Sequence, residues 1–345
     1  MARKLTLLIQ NPETPLLSWY KEIFGPWIGD IVFDGKHEQV IDDCIVSETH
    51  LRQQDPAYFK RFSGKNAFLL LSPDEFYAAP VELFSNFCGV FRSSFSGAFK
   101  VDRVFQLPLG YNPGFEVPAS EIPSSKRPLA WSFLGQVGKA TRPECIRALL
   151  GIRPNLWLAT DGWNSGGVTT SEQTANTFST REYIEVLKDS AFCPCPMGNV
   201  SQETLRVYEA LQTGSIPLLE RTPVMDAHRL LLGEHPLPTF SNWDDACVFM
   251  EQLRESPTEL DALQERCILW WLQYKRSLSA EVGSFVTRLE DNPATRFTSF
   301  VHPYSRLPGW RMFELARHHT TRALLRRLER HAVRLLDSGK FTIHD

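Results

Sequence analysis

Short apolar runs recur along the chain, and several are continuous rather than alternating. They are KLTLLIQ (Lys4–Gln10), NAFLLLS (Asn66–Ser72), VFQLPLG (Val104–Gly110), LAWSFLG (Leu129–Gly135), NLWLAT (Asn155–Thr160), AFCPCP (Ala191–Pro196) and SIPLLE (Ser215–Glu220). Such runs suit strands of a parallel sheet with helices on both faces. Helix-period stretches such as STREYIEVLKDS (Ser179–Ser190) and SQETLRVYEALQTG (Ser201–Gly214) lie between them. The alternation of strand and helix predicts an α/β protein with doubly wound sheets.

A Pro/Ser-rich segment, EVPASEIPSSKRP (Glu116–Pro128), separates two such sets and reads as a linker. The 345 residues suffice for two domains. We expect the first over 1–117, the second over 128–275 and a helical extension over 276–345. From about Gly309 the chain predicts a basic amphipathic helix, with Leu324, Leu325, Leu328, Ala332, Leu335 and Leu336 in one stripe and arginines elsewhere. Such a helix either touches an anionic membrane or a lipid-linked acceptor, or packs its leucines on the protein with arginines solvated. The second arrangement is the commoner.

A net charge of −3 gives no global basic footprint for nucleic acid. Seven scattered cysteines are an odd number and suit a reducing compartment better than a disulfide framework. The apolar run near the N-terminus is too short for a signal sequence or a membrane span. These features predict a cytoplasmic protein, peripheral at the membrane if the basic helix binds there.

Candidate chemistry concentrates in SAFCPCPMGNVSQETLRVYEALQTGSIPLL (Ser190–Leu219). Cys193 and Cys195 have neither the second ligand pair of a zinc site nor the spacing of a redox pair, so buried packing is the favoured reading. Gln202, Arg206, Glu209 and Thr213 recur at helical spacing on one face, just after the loop MGNVS. That loop follows a strand, where backbone N–H groups and a helix N-terminus favour an anion such as a phosphate. Arg206 suits a pyrophosphate and Glu209 the two hydroxyls of a ribose; the competing reading is a surface ion pair.

FCPCPMG followed by T-x-R-x-x-E-A-x-x-x-G-S-I-P-L (Thr204–Leu218) resembles the signature of the exostosin family of glycosyltransferases. WSFLGQVGKATR (Trp131–Arg142) is similar to that family's strand, glycine loop and following arginine. LLLSPDEF (Leu69–Phe76), GVFRSSF (Gly89–Phe95) and LPLGYNPGF (Leu107–Phe115) are a weaker match, to relatives near the ribitol xylosyltransferase branch. The resemblance implies a type B glycosyltransferase: two Rossmann-like domains facing across a cleft, with acceptor on the first and nucleotide-sugar donor on the second. It implies a donor site at Gly135, Arg142, Gly198, Arg206 and Glu209, and a glycan or polyol acceptor. The family's animal and plant members are usually anchored in the Golgi, whereas no anchor is expected here.

Type A glycosyltransferases hold a metal with Asp-x-Asp, which occurs nowhere in this sequence. Arginines and a helix N-terminus would then stabilise the leaving diphosphate, with no metal and no cofactor. Lys139 is a weaker phosphate candidate, and Gly135 with Gly138 lack the third glycine of a dinucleotide fingerprint. Inverting transfer needs a base for the acceptor hydroxyl. Asp74 and Glu75, just past the strand Asn66–Ser72, are the candidates, although SPDEF also reads as a helix cap. With the donor on the other domain, amide substitution of either acid is expected to leave nucleotide affinity unchanged. Glu116 is a spare candidate base, and Arg92 and Tyr111 are candidates for binding acceptor or donor sugar. The expected activity is inverting transfer from a UDP-sugar; the rival is a carbohydrate-binding or scaffold protein that kept the fold without activity.

Overall fold

A computed structural model describes residues 4–9, 16–36, 38–48, 55–72, 75, 77, 79–99, 101–160, 178–290 and 309–317. Two parallel sheets account for its strands. The first contains β1 (Leu5–Ile9), β2 (Ile28–Phe33), β3 (Cys44–Glu48), β4 (Ala67–Leu71), β5 (Gly89–Arg92) and β6 (Val104–Gln106), in the order β2-β1-β3-β4-β5-β6. The second contains β7 (Leu129–Gly135), β8 (Asn155–Ala159), β9 (Ser190–Cys195), β10 (Ile216–Glu220) and β11 (Thr239–Phe240), in the order β11-β10-β9-β7-β8. The strands β3, β4, β5, β9 and β10 are each buried along their whole length, the reason the segments of β4, β9 and β10 read as continuous apolar runs.

Both sheets reverse their winding direction once, the first between β1 and β3 and the second between β7 and β9. Beyond the carboxyl ends of strands at such a reversal, an open α/β sheet offers a crevice. Around the second sheet lie α3 (Arg142–Leu149), α4 (Thr180–Lys188), α5 (Leu205–Thr213), α6 (Ala227–Leu232) and α7 (Trp243–Arg254). The first is flanked by α1 (Leu17–Phe24) and α2 (Pro56–Lys60).

The helix α8 (Pro257–Glu290) ties the two halves together. Its early turns hold the linker through Gln264, whose Oε1 accepts from Ser124 N at 2.6 Å, and through Asp261 on Ser125. Its middle stacks Trp271 on Trp19 of α1 at 5.7 Å. Its last turns bring Phe285 against Phe68, Phe91 and Phe105 of the first sheet. The helix runs through position 275 without a break, where the second expected domain boundary falls. One core cluster consequently reaches from Leu5 and Trp19 through Trp131 and Tyr208 to Leu289. A shorter helix, α9 (Trp310–Arg317), sets Trp310 near Tyr77 and Phe99 and accepts a hydrogen bond from Thr222 at its Arg317 carbonyl. The rest of the basic helix lies outside the described residues. Among the described residues no helix is long and apolar enough to cross a membrane.

Candidate functional site

The site begins with a proline. Pro194 has no N–H to give a ladder, and pairing between β7 and β9 stops at Trp131 and Phe192. Yet β7 continues to Gly135 alongside β8, and β9 continues to Cys195 alongside β10. The two strands therefore part at their carboxyl ends. Carbonyls alternate sides along a strand; that of Gly135 faces β8 and accepts from Thr160 N at 3.1 Å, so that of Leu134 faces the gap. Arg206 of α5 fills this position, donating from Nη2 to Leu134 O at 2.6 Å.

The guanidinium of Arg206 lies over the Phe133 ring at 4.1 Å, and that of Arg142 approaches the same ring at 5.9 Å. A Cβ on Gly135 would stand 2.6 Å from Arg206 Nη2, and its φ of +153° suits glycine, so this residue is fixed by the arginine's approach. Arg142 binds the Gln136 and Met197 carbonyls and is 8% exposed. Burial and the Arg206 charge push its pKa down, while Glu75 acts against them. Burial also opposes the Arg206 charge, but its surroundings, with the Glu209 carboxylate among them, outweigh that and hold its pKa above the ordinary value. Arg206 Nε is buried with no hydrogen-bond partner. Two desolvated cations side by side, one with a spare donor, form a place suited to an anion.

The loop after β9 supplies backbone donors. Gly198 N–H closes a turn on Ser201 O at 2.8 Å. Val200 N–H and Ser201 N–H both reach Glu75 Oε1, at 2.9 and 3.4 Å. Glu220, at the end of β10, accepts from Met197 N and Thr141 Oγ1, so one buried carboxylate fixes both loops of the crevice. Gln202 precedes α5 rather than lying on it, and ties the loop to Met225 and Ala227.

Two glutamates hold α5 against the segment that leaves the first sheet. Glu209 is 4% exposed and accepts from Asn112 Nδ2 at 2.8 Å. Burial raises its pKa, and Arg206, Asn112 and Tyr183 counter that. A surface ion pair is thus ruled out: Arg206 and Glu209 are both buried and engaged elsewhere. Glu203 accepts from Leu109 N and, at 2.6 Å, from Tyr208 Oη; burial pushes it up to about 7.

The remaining candidates are scattered. Lys139 stands with the crevice cations, its pKa lowered by burial and by Arg142. Arg92 is wholly buried at the end of β5, between the rings of Tyr77 and Phe99. Tyr111 is 1% exposed, packs edge-on against Trp19 and donates to Glu22, which pairs with Lys275 of α8. Glu116 is exposed and accepts from Gly114 N at 2.7 Å. Asp74 lies outside the described residues. Cys193 and Cys195 are fully buried in β9, and burial raises the Cys195 thiol. Sequence reasoning missed Glu203, Glu220 and Asn112. Asn112 precedes a proline, Glu220 ends a strand and Glu203 stands just before a helix, each by itself a common surface pattern.

Comparison with known proteins now bears on this crevice. The family model described as RXYLT1 C-terminal domain matches residues 115–292. The chain belongs to the RXYLT1 C-terminal domain family. Its match takes in the whole second sheet, α8 and every donor-site candidate from Gly135 to Glu209, and begins after Glu75 and Arg92. Ribitol-5-phosphate xylosyltransferase 1 of Danio rerio is 27% identical over 213 residues, which is 55% of this chain and 45% of that protein. The RXYLT1-family chain thus spans about half the length of the curated relative it matches. Two solved structures share the fold. A DNA-modifying β-glucosyltransferase, studied with and without uridine diphosphoglucose, has a TM-score of 0.50 at 11% identity, over 83% of this chain and 99% of that one. An α-glucosyltransferase in complex with UDP-glucose and DNA containing an abasic site has a TM-score of 0.50 at 9% identity, over 83% and 99%. The architecture of this family member is accordingly that of type B glycosyltransferases.

Proposed function

We propose that the protein transfers a sugar, with inversion, from a nucleotide diphosphate, most naturally UDP, to a hydroxyl of a glycan or polyol. The carrying observation is the pair of buried arginines, Arg142 and Arg206, at the parted ends of β7 and β9 beside the amides of Val200 and Ser201. In this reading residues 128–275 form the donor domain and residues 1–117 the acceptor domain. The diphosphate lies on the arginines and loop amides, and Glu209 takes the ribose hydroxyls.

The transfer follows from those positions. A carboxylate of the first domain, Glu75 or Asp74, takes the proton of the acceptor hydroxyl. The hydroxyl oxygen forms a bond to the anomeric carbon as that carbon's bond to the diphosphate breaks. The electron pair leaves with the diphosphate, whose growing charge meets two fixed cations in a water-poor crevice. Arginines supply this stabilisation without a metal. The family membership, the UDP-sugar complexes of proteins sharing the fold, and the name of the xylosyltransferase relative support a nucleotide-sugar donor.

A thermal-shift panel of UDP, GDP and CMP tests both the class of activity and the donor. A nucleotide at a hundred times its dissociation constant stabilises a folded protein by about 2.7 kcal/mol. UDP should raise the melting temperature most. No shift with any of the three would overturn the reading.

A further inference from the structure

Glu75 belongs to the first half of the chain, yet its carboxylate rests on the donor loop of the second. Oε1 accepts from Val200 N at 2.9 Å and Ser201 N at 3.4 Å, across 125 residues of sequence. These are the loop amides that precede α5, the donors best placed for a diphosphate. A carboxylate and a phosphate oxygen use the same lone-pair chemistry, so the two cannot hold these N–H groups together.

Other features fit a carboxylate at this point. A Cβ on residue 198 would stand 2.9 Å from Glu75 Oε1, so Gly198 leaves room for the acid. The Glu75 charge also acts on Lys139 and Arg142, favouring their charged forms. It therefore neutralises part of the cationic crevice as well as covering its amides. We propose that Glu75 is an intramolecular competitor for the donor's diphosphate: it holds the amides of Val200 and Ser201 until a diphosphate takes them, and the exchange frees it for the acceptor hydroxyl. This deepens the donor-site reading above and rests on it. Donor binding would then come before the base is available, which protects the crevice from acting on an acceptor alone. It also replaces the expectation that changing Glu75 leaves nucleotide affinity untouched.

The test is calorimetry on the full chain with UDP and with uridine, for the wild type, Glu75→Ala, Glu75→Asp and Arg206→Ala. Removing a charge-assisted competitor should tighten UDP about tenfold in Glu75→Ala and leave uridine unchanged. Glu75→Asp keeps the charge on a side chain one carbon shorter, and should tighten UDP in the same direction. It also guards against a folding defect peculiar to alanine. Should both Glu75 variants bind UDP no better than the wild type while Arg206→Ala loses it, the competitor is refuted and the donor site stands. An Arg206→Ala protein with wild-type UDP affinity, or no UDP binding by any of the four, would overturn the donor site and the competitor with it.

Discussion

Glu203 offers a test of the interdomain packing that owes nothing to ligand. Its carboxylate is 4% exposed, takes hydrogen bonds from Leu109 and Tyr208, and is pushed by burial from 4.5 up to about 7. The folded pKa lies above the unfolded one, so between pH 4.5 and 7 the folded protein keeps a proton that the unfolded chain has released. Stability then falls as pH rises through this window, and the penalty is complete above it. At about 1.4 kcal/mol per pH unit, a shift of this size amounts to roughly 3 kcal/mol. Glu203→Gln keeps the shape and an acceptor oxygen for both donors but carries no charge at any pH. The wild-type profile alone would mislead, because His228 works the other way. Burial lowers that histidine to about 4, so its contribution to stability increases with pH between 4 and 6.5. The difference between variant and wild type isolates Glu203. Urea unfolding at a series of pH values should show the glutamine variant gaining about 3 kcal/mol on the wild type between pH 4.5 and 7.5. A difference that stays constant across that range would mean Glu203 titrates as an exposed acid, and that the seam between Leu109 and α5 is wet.

Three further outcomes follow from the crevice. Arg206→Ala should weaken UDP by about 1.5–3 kcal/mol, and Glu209→Ala should weaken UDP more than an analogue lacking ribose hydroxyls; calorimetry measures both. Turnover should survive EDTA, since arginines and amides hold the diphosphate; a tenfold loss (about 1.4 kcal/mol in the barrier) restored by manganese would contradict this. Cys193→Ser and Cys195→Ser place hydroxyls in a dry strand and should cost about 1–3 kcal/mol of stability with turnover per folded molecule intact. Tight zinc that leaves with either substitution would reverse that assignment of the sulfurs.

The strands that line the crevice were legible because their composition is extreme. LAWSFLG and SIPLLE carry long apolar runs, and β7 and β10 match the expected segments to within a residue. The strands passed over were β2 (IGDIVF), β3 (CIVSE), β5 (GVFR) and the two-residue β11. Each is short or broken by glycine or acids, and owes its conformation to a neighbour already in place. The 34 residues of α8 escaped for another reason: successive parts of the helix pack on the linker, α1 and the first sheet, so its apolar stripe turns with its partners. The candidate site shows the same division. Arg206 and Glu209 were found because helical spacing and a recognisable signature coincide on one segment. Glu203 looked like an ordinary acid at a helix start, and its partner Leu109 is 94 residues away. Glu75 was placed at a strand end as expected, but nothing local tells that its carboxylate reaches the opposite domain's loop.

The most direct test of the account is a structure of the protein with UDP bound. The account places the diphosphate within hydrogen-bonding distance (about 2.7–3.2 Å) of Arg142, Arg206 and the amides of Val200 and Ser201. It places the ribose at Glu209 and moves the Glu75 carboxylate off the loop. UDP bound at the ends of β1 and β3 in the first sheet, or anywhere that leaves Arg206 on Leu134 with no phosphate contact, would contradict it.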